Sequence, residues 1–215
     1  MRGFRLFLES EGLSDQDIEA ITSMPCDKVK QFINSKTSKE DFFNVRRKTV
    51  KKYAWTIPCK EYIESIKAHI IPNQPVYDVM AGTGFVGKVL KKHGINVISS
   101  DAEILTKKNK YGHTNLHDPD MEEMDALTRV NSFSTPINVL MSWVPYSEDT
   151  DLKVAEILQP NSILIYVGES YGGATGSEEF WTYASKNFQV LDDMYIPQWP
   201  AIHDFLWIGK KLTNN

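Results

Sequence analysis

Cysteine, long apolar runs and surplus positive charge are what this sequence has least of, and each scarcity excludes a class of protein. Only Cys26 and Cys59 occur among 215 residues, too few and too far apart for a disulfide framework or a zinc site. Reduced thiols, a cytoplasmic setting and no bound metal are the corresponding expectations. The longest N-terminal apolar stretch, Leu6-Phe7-Leu8, is bounded by Arg5 and Glu9 and is too short for the core of a signal peptide. No run approaches a membrane span, so no membrane partner is expected. Net charge is −4, so no global positive field favours nucleic acid. The basic cluster Arg46-Arg47-Lys48 with Lys51-Lys52 reads as a solvated helix face. A nucleic-acid acceptor needs that cluster and Lys107, Lys108 and Lys110 to form one patch beside the site.

What is present is ordinary for a folded domain: 41% hydrophobic and 24% charged residues, with no internal repeat or low-complexity tract. The length suits one α/β domain with a small addition. Residues 1–52 lack strand-like runs and form a helical appendage. Ser14 with Asp17 makes a capping box ahead of Ile18 and Ile21, and Pro25 opens a second helix carrying Val29, Phe32 and Ile33. A third helix begins near Lys39, Tyr53 to Pro58 interrupts it, and another follows over 60–70. Residues 53–215 form the main domain. From Val76 onward, short β-branched or apolar runs alternate with helical segments, as in a parallel sheet with crossovers. Strands are expected at 76–80, 96–99, 121–124, 137–141, 163–167, 189–195 and 205–210. The last two are joined by a helix-free loop, so the final strand runs antiparallel.

The segment Val76 to Gly87, VYDVMAGTGFVG, is a glycine-rich strand-to-helix turn. Asp78 ends the strand, Ala81, Gly82 and Gly84 form the turn, and Gly87 opens the helix expected over 86–93. Asp101 lies 101 − 82 = 19 residues past Gly82, where a carboxylate can accept hydrogen bonds from both ribose hydroxyls. These features support an adenosine cofactor, and nicotinamide or flavin dinucleotides remain alternatives at this point. Asp125, in Met124-Asp125-Ala126, is the adenine candidate, against a reading as a plain helix cap. Asp118 is its competitor.

From Tyr53 to about Leu212 the chain resembles class I S-adenosylmethionine (SAM) methyltransferases. Asp78-Val79-Met80-Ala81-Gly82-Thr83-Gly84 is similar to their first motif, with Met80 in place of the first glycine. It is similar in particular to a little-characterised branch marked by Tyr53-Ala54-Trp55-Thr56-Ile57-Pro58, Ser142-Trp143-Val144-Pro145, the segment 168–176 and the segment 196–204. The resemblance implies a Rossmann-like α/β sheet of seven strands in the order 3-2-1-4-5-7-6, with SAM as cofactor.

Ligands of such sheets sit beyond the carboxyl ends of the strands. That rule marks Trp143 and Tyr146 after the fourth strand, Glu169 after the fifth, and Trp199, His203 and Asp204 before the last. Amino-group methyltransferases carry an Asp or Asn where Trp143 stands, and an indole can only donate. Glu169, His203 and Tyr146 are the catalytic candidates. Asp78, Ala81, Gly82, Gly84, Asp101, Asp125, Trp143, Tyr53 and Trp55 are the cofactor candidates. The last two read equally well as an apolar anchor for the appendage. Transfer of a methyl group to a small molecule or a protein is favoured over nucleic acid, with a non-catalytic SAM-binding or protein-interaction module as the alternative.

Overall fold

The computed structural model describes residues 11–38, 41–104, 113, 115–146, 148–171, 173–196 and 198–213. Arg5, Leu6-Phe7-Leu8, Glu9, Lys39, Lys107, Lys108 and Lys110, named above, lie outside the described residues, as do Gly172 and Pro197 within the segments 168–176 and 196–204.

The elements run α1 (Asp15–Thr22), α2 (Cys26–Lys36), α3 (Phe42–Lys52), α4 (Lys60–His69), β1 (Val76–Val79), α5 (Phe85–Lys92), β2 (Val97–Asp101) and β3 (Glu122–Glu123). They continue as α6 (Ala126–Asn131), β4 (Asn138–Ser142), α7 (Thr150–Ile157), β5 (Ile163–Gly168), α8 (Glu178–Asn187), β6 (Phe188–Tyr195) and β7 (Phe205–Lys211). The capping box forms as expected: Ser14 Oγ accepts from the Asp17 N–H at 3.2 Å, and Asp17 Oδ2 accepts from the Ser14 N–H at 3.1 Å. Helix α7 is not marked by the sequence pattern. Its apolar side is short, with Val154 and Ala155 as the buried hydrophobic residues.

The seven strands form one sheet in the order β3-β2-β1-β4-β5-β7-β6, the order the resemblance implies. Strands β1 to β5 pair in parallel, while β7 runs antiparallel to both β5 and β6. Period-two alternation divides each central strand between two apolar layers. Ile163, Ile165 and Val167 face one, with Val76, Leu206 and Ile208. Leu164 and Tyr166 face the other, with Val79, Val139, Met141 and Trp207. The first layer is closed by α4, α5 and the N-terminal helices, whose Ile18, Ile21, Val29, Ile33 and Val45 belong to the same apolar cluster as the sheet residues. Tyr53, at the expected boundary, is buried in that cluster too.

The expectation of reduced thiols is corrected. Cys26 and Cys59 form a disulfide with Cα atoms 5.4 Å apart. Their proximity comes from the N-terminal ends of α2 and α4, which are tied together. The Cys26 N–H donates to Glu61 Oε2 at 2.8 Å, and the Lys60 N–H donates to the Met24 carbonyl at 3.0 Å. Spacing along the chain carries no trace of that packing. Among the described residues, no helix is long and apolar enough to cross a membrane.

Candidate functional site

A cavity of 840 Å³ opens at the carboxyl ends of β1, β2 and β4, within the size range of small-ligand sites. The turn after β1 builds one wall. Met80, Gly82 and Gly84 all take left-handed backbone, with φ of 56°, 57° and 70°. Glycine does so freely, whereas Met80 does so at a steric cost. Asp101 holds the turn open: its Oδ2 accepts from the Gly82 N–H at 2.8 Å, and its Oδ1 from the Glu103 N–H at 2.9 Å. Ala81 lines the cavity and donates its N–H to the Ser100 carbonyl at 3.0 Å.

Gly84 is not on the cavity wall. A Cβ there would stand 2.7 Å from Asp118 Cβ, so its missing side chain admits Asp118 rather than a ligand. Asp118 in turn accepts from Lys91 Nζ at 2.8 Å and is buried away from the cavity. The adenine competitor is thereby accounted for as a helix-to-loop tie. Asp125 does line the cavity, while also capping α6 through the Thr128 N–H at 2.9 Å and the Thr128 hydroxyl at 2.6 Å. Those bonds hold its carboxyl below the usual range.

Asp78 is almost wholly buried beneath the turn, and burial lifts its carboxyl to about 7 despite a hydrogen bond from Ser99. Tyr53 lines the cavity as well. Its ring stacks on His117 with centroids 5.5 Å apart, and its hydroxyl donates to Asp15. His113, absent from the sequence candidates, is a further wall residue. Its Nδ1 is 3.2 Å from the Val50 carbonyl, and burial lowers its proton affinity. No motif surrounds it in the sequence.

The opposite wall is aromatic. Trp55 and Trp143 stack face to face, 4.9 Å between centroids with planes 12° apart. The guanidinium of Arg46 lies 5.4 Å from one ring and 5.5 Å from the other. Arg46 alone departs from the solvated-face reading of the basic cluster by turning inward from α3, while Arg47 and Lys51 are exposed and Lys52 pairs with Asp15 at the surface at 2.9 Å. Trp143 has φ of 56°, a second bulky residue in left-handed backbone at the same sheet edge. Tyr146 stands at the mouth, 67% exposed.

Glu169 and His203 are close to one another but not on the cavity wall. Glu169 Oε2 accepts from the Ala174 N–H at 2.7 Å and Oε1 from the His203 N–H at 2.8 Å. The carboxylate therefore clamps the loop after β5 to the loop before β7. The His203 side chain is 74% exposed, with Nδ1 3.6 Å from Glu169 Oε1. Trp199 is fully buried against Phe42. Asp204 has no exposed surface, and burial first, then the charge of Glu169, raises its carboxyl to about 8 against the pull of Arg46.

No family model matches the chain, and no curated protein matches it. Solved structures similar to it include a SAM-dependent methyltransferase from Methanosarcina mazei, 11% identical over 70% of this chain and 98% of that one, TM-score 0.49. Another is a SAM-dependent methyltransferase from Archaeoglobus fulgidus, 14% identical over 71% and 92%, TM-score 0.49. A third is a putative methyltransferase from Streptococcus mutans in complex with S-adenosylhomocysteine, 14% identical over 71% and 97%, TM-score 0.46.

Proposed function

We propose that this chain is a SAM-dependent methyltransferase whose cofactor occupies the 840 Å³ cavity. The observation that carries the reading is the charge of the wall. Among the described residues, Asp78, Asp101, Glu103, Asp125 and Glu148 line it together with His113, and no lysine or arginine does. A dinucleotide brings a pyrophosphate, which such a wall repels. SAM brings a sulfonium and an ammonium against one carboxylate, a net positive charge, which it attracts. The seven-strand order and the glycine turn fit the same cofactor.

In this reading Asp101 accepts from the ribose hydroxyls with lone pairs left over from its two backbone bonds, since an ionised carboxylate offers about four acceptor sites. Asp125 and the chain at Ala126 and Leu127 meet the adenine, and Asp78 faces the methionine end. Bound SAM supplies an electrophilic methyl group. The residues of the chain hold the two reactants in line, exclude water with the Trp55–Trp143 wall and Tyr53, and accept the proton released. The acceptor is a small molecule or a protein group.

The non-catalytic reading draws on one observation: Glu169 and His203 lie off the cavity wall, with Glu169 clamping two loops and the His203 side chain turned outward. Titration calorimetry with SAM, S-adenosylhomocysteine and NAD separates the readings. Binding of the first two without NAD is expected, and absence of SAM binding sinks both SAM readings. Tight SAM binding with no methyl transfer to amine, thiol or hydroxyl acceptors favours the module.

A further inference from the structure

Behind the tryptophan wall lies a cluster of ionisable groups that cofactor binding leaves unused. Among the described residues, neither oxygen of Asp204 has a hydrogen-bond partner, although Asp204 is completely buried. The Trp143 indole N–H lies close enough to favour the ionised carboxyl, but it is itself buried without a completed hydrogen bond. Arg46 has Nε and Nη2 buried and unpartnered, and its charge acts on Asp204 and Glu169. Among the described residues, Tyr62 from α4 and Tyr166 from β5 also interact electrostatically with Asp204. With both carboxyls ionised, Arg46 leaves one negative charge uncompensated in a buried space. Such a charge is costly alone and is relieved by one proton or by one cation that takes the proton's place.

The approach has the same sign. The cavity mouth shares Tyr146 and Glu148 with a second cleft of 490 Å³. Glu178, Glu179 and Asp149 line that cleft beside the rings of Tyr171 and Trp181, with Asp149 paired to Lys153 at 2.8 Å. Carboxylates with aromatic faces suit an ammonium group. Trp143 is at once the cavity wall and the neighbour of Asp204, and its left-handed backbone is the kind of strained conformation that clusters at active sites and ligand clamps.

Building on the methyltransferase reading, we infer that the methyl acceptor is a cationic aliphatic amine that enters along the acidic cleft, and that Asp204 takes its proton once the Trp143 indole turns aside. An ammonium N–H bond breaks, and its proton moves to an Asp204 oxygen. The freed nitrogen lone pair forms the N–C bond as the C–S bond of the sulfonium breaks, with that electron pair staying on sulfur. The products are a methylated ammonium and a neutral thioether. The Trp143 indole offers no acceptor for the amine, and Asp204 supplies one from a different loop.

Burial keeps Asp204 protonated at pH 7, so an arriving cation must displace a proton to solvent. Calorimetry of the full chain with n-butylamine, cadaverine and spermidine at pH 7, in two buffers of different ionisation enthalpy, counts that proton. Saturable binding of at least one amine with proton release is expected, and n-butanol should not bind. The D204N variant should lose the release and bind about tenfold or more weakly, the scale of one charge-assisted hydrogen bond. Its thermal unfolding at pH 6 reports whether it folds. Should it not, the parent protein decides alone. Amine binding without proton release, equal binding of n-butanol, or no amine binding overturns the inference. A parallel SAM titration separates the two ideas: proton-linked amine binding without SAM binding removes methyl transfer and the part given to Asp204 in it. SAM binding without amine binding removes the amine assignment alone.

Discussion

Trp55, in the segment that follows the N-terminal helices, and Trp143, at the end of β4, lie in near-parallel planes 4.9 Å apart with Arg46 against both rings. The pair joins two parts of the chain that are 143 − 55 = 88 residues apart and makes the N-terminal segment part of the cavity wall. A double-mutant cycle with Trp55→Leu and Trp143→Leu should return a coupling of about 0.5 to 1.5 kcal/mol in denaturant unfolding, the range for aromatic pairs. Additive losses would mean that the rings merely abut.

Replacing Asp101 tests the cofactor wall. Asp101→Ala should weaken SAM binding by about 1 to 3 kcal/mol, and part of that loss comes from freeing the Gly82 N–H that the carboxylate holds at 2.8 Å. Asp101→Asn retains one carbonyl oxygen, so it should retain more affinity than the alanine variant. Equal affinity for all three proteins in equilibrium dialysis would move the ribose elsewhere.

The buried carboxyls set a pH dependence. Burial raises Asp78 to about 7 and Asp204 to about 8, above the roughly 3.9 of an unfolded aspartate. Between those values the folded chain holds protons that the unfolded chain has released, so stability falls as pH rises. Each group contributes a slope of up to about 1.4 kcal/mol per pH unit, levelling off above its folded value. Asp15, Asp17, Asp125 and Asp149, which lie below their usual range, act with opposite sign at more acidic pH. Urea unfolding at pH 5 and pH 8 should show a larger loss for the parent than for D204N. Identical losses would show that Asp204 does not titrate in that window.

The disulfide closes a loop across a sequence separation of 33. Chain-entropy reasoning assigns such a loop roughly 3 to 4 kcal/mol. Unfolding with and without dithiothreitol should differ by that amount, and the Cys59→Ala variant should not respond to the reductant. An unchanged midpoint under reduction would show that the link contributes nothing to the folded state.

Local patterns carried most of the fold. The capping box at Ser14 and the two-residue alternation of 163–167 are written within a few positions, so they are readable without coordinates. The site was only partly readable because its decisive contacts are long-range. Asp101 and Gly82 follow a spacing that the turn itself imposes, and a hydrogen bond joins them. Nothing near Arg46 says that it leaves the basic face for two tryptophans, and nothing near Cys26 says that α4 begins beside it. Glu169 and Asp204 both leave the sheet at the ligand edge. Which one keeps its oxygens free depends on the N–H groups of Ala174 and His203, and no local pattern encodes that.

Gly87 offers a test of how tightly the cofactor turn is backed by the sheet. It lies inside α5, where alanine is ordinarily favoured over glycine by about 1 kcal/mol. A Cβ at this position would overlap Ser99 Oγ on β2 and come 3.0 Å from Asp78 Oδ2. Overpacking of that kind costs about 1 to 3 kcal/mol, so the clash outweighs the helix gain and Gly87→Ala should lower the unfolding midpoint. Removing the hydroxyl clears the overlap, so the double variant Gly87→Ala with Ser99→Ala should be more stable than Gly87→Ala alone. A single variant as stable as the parent would mean that α5 shifts away from β2 at little cost, and its SAM affinity would then report how far the glycine turn moves with it.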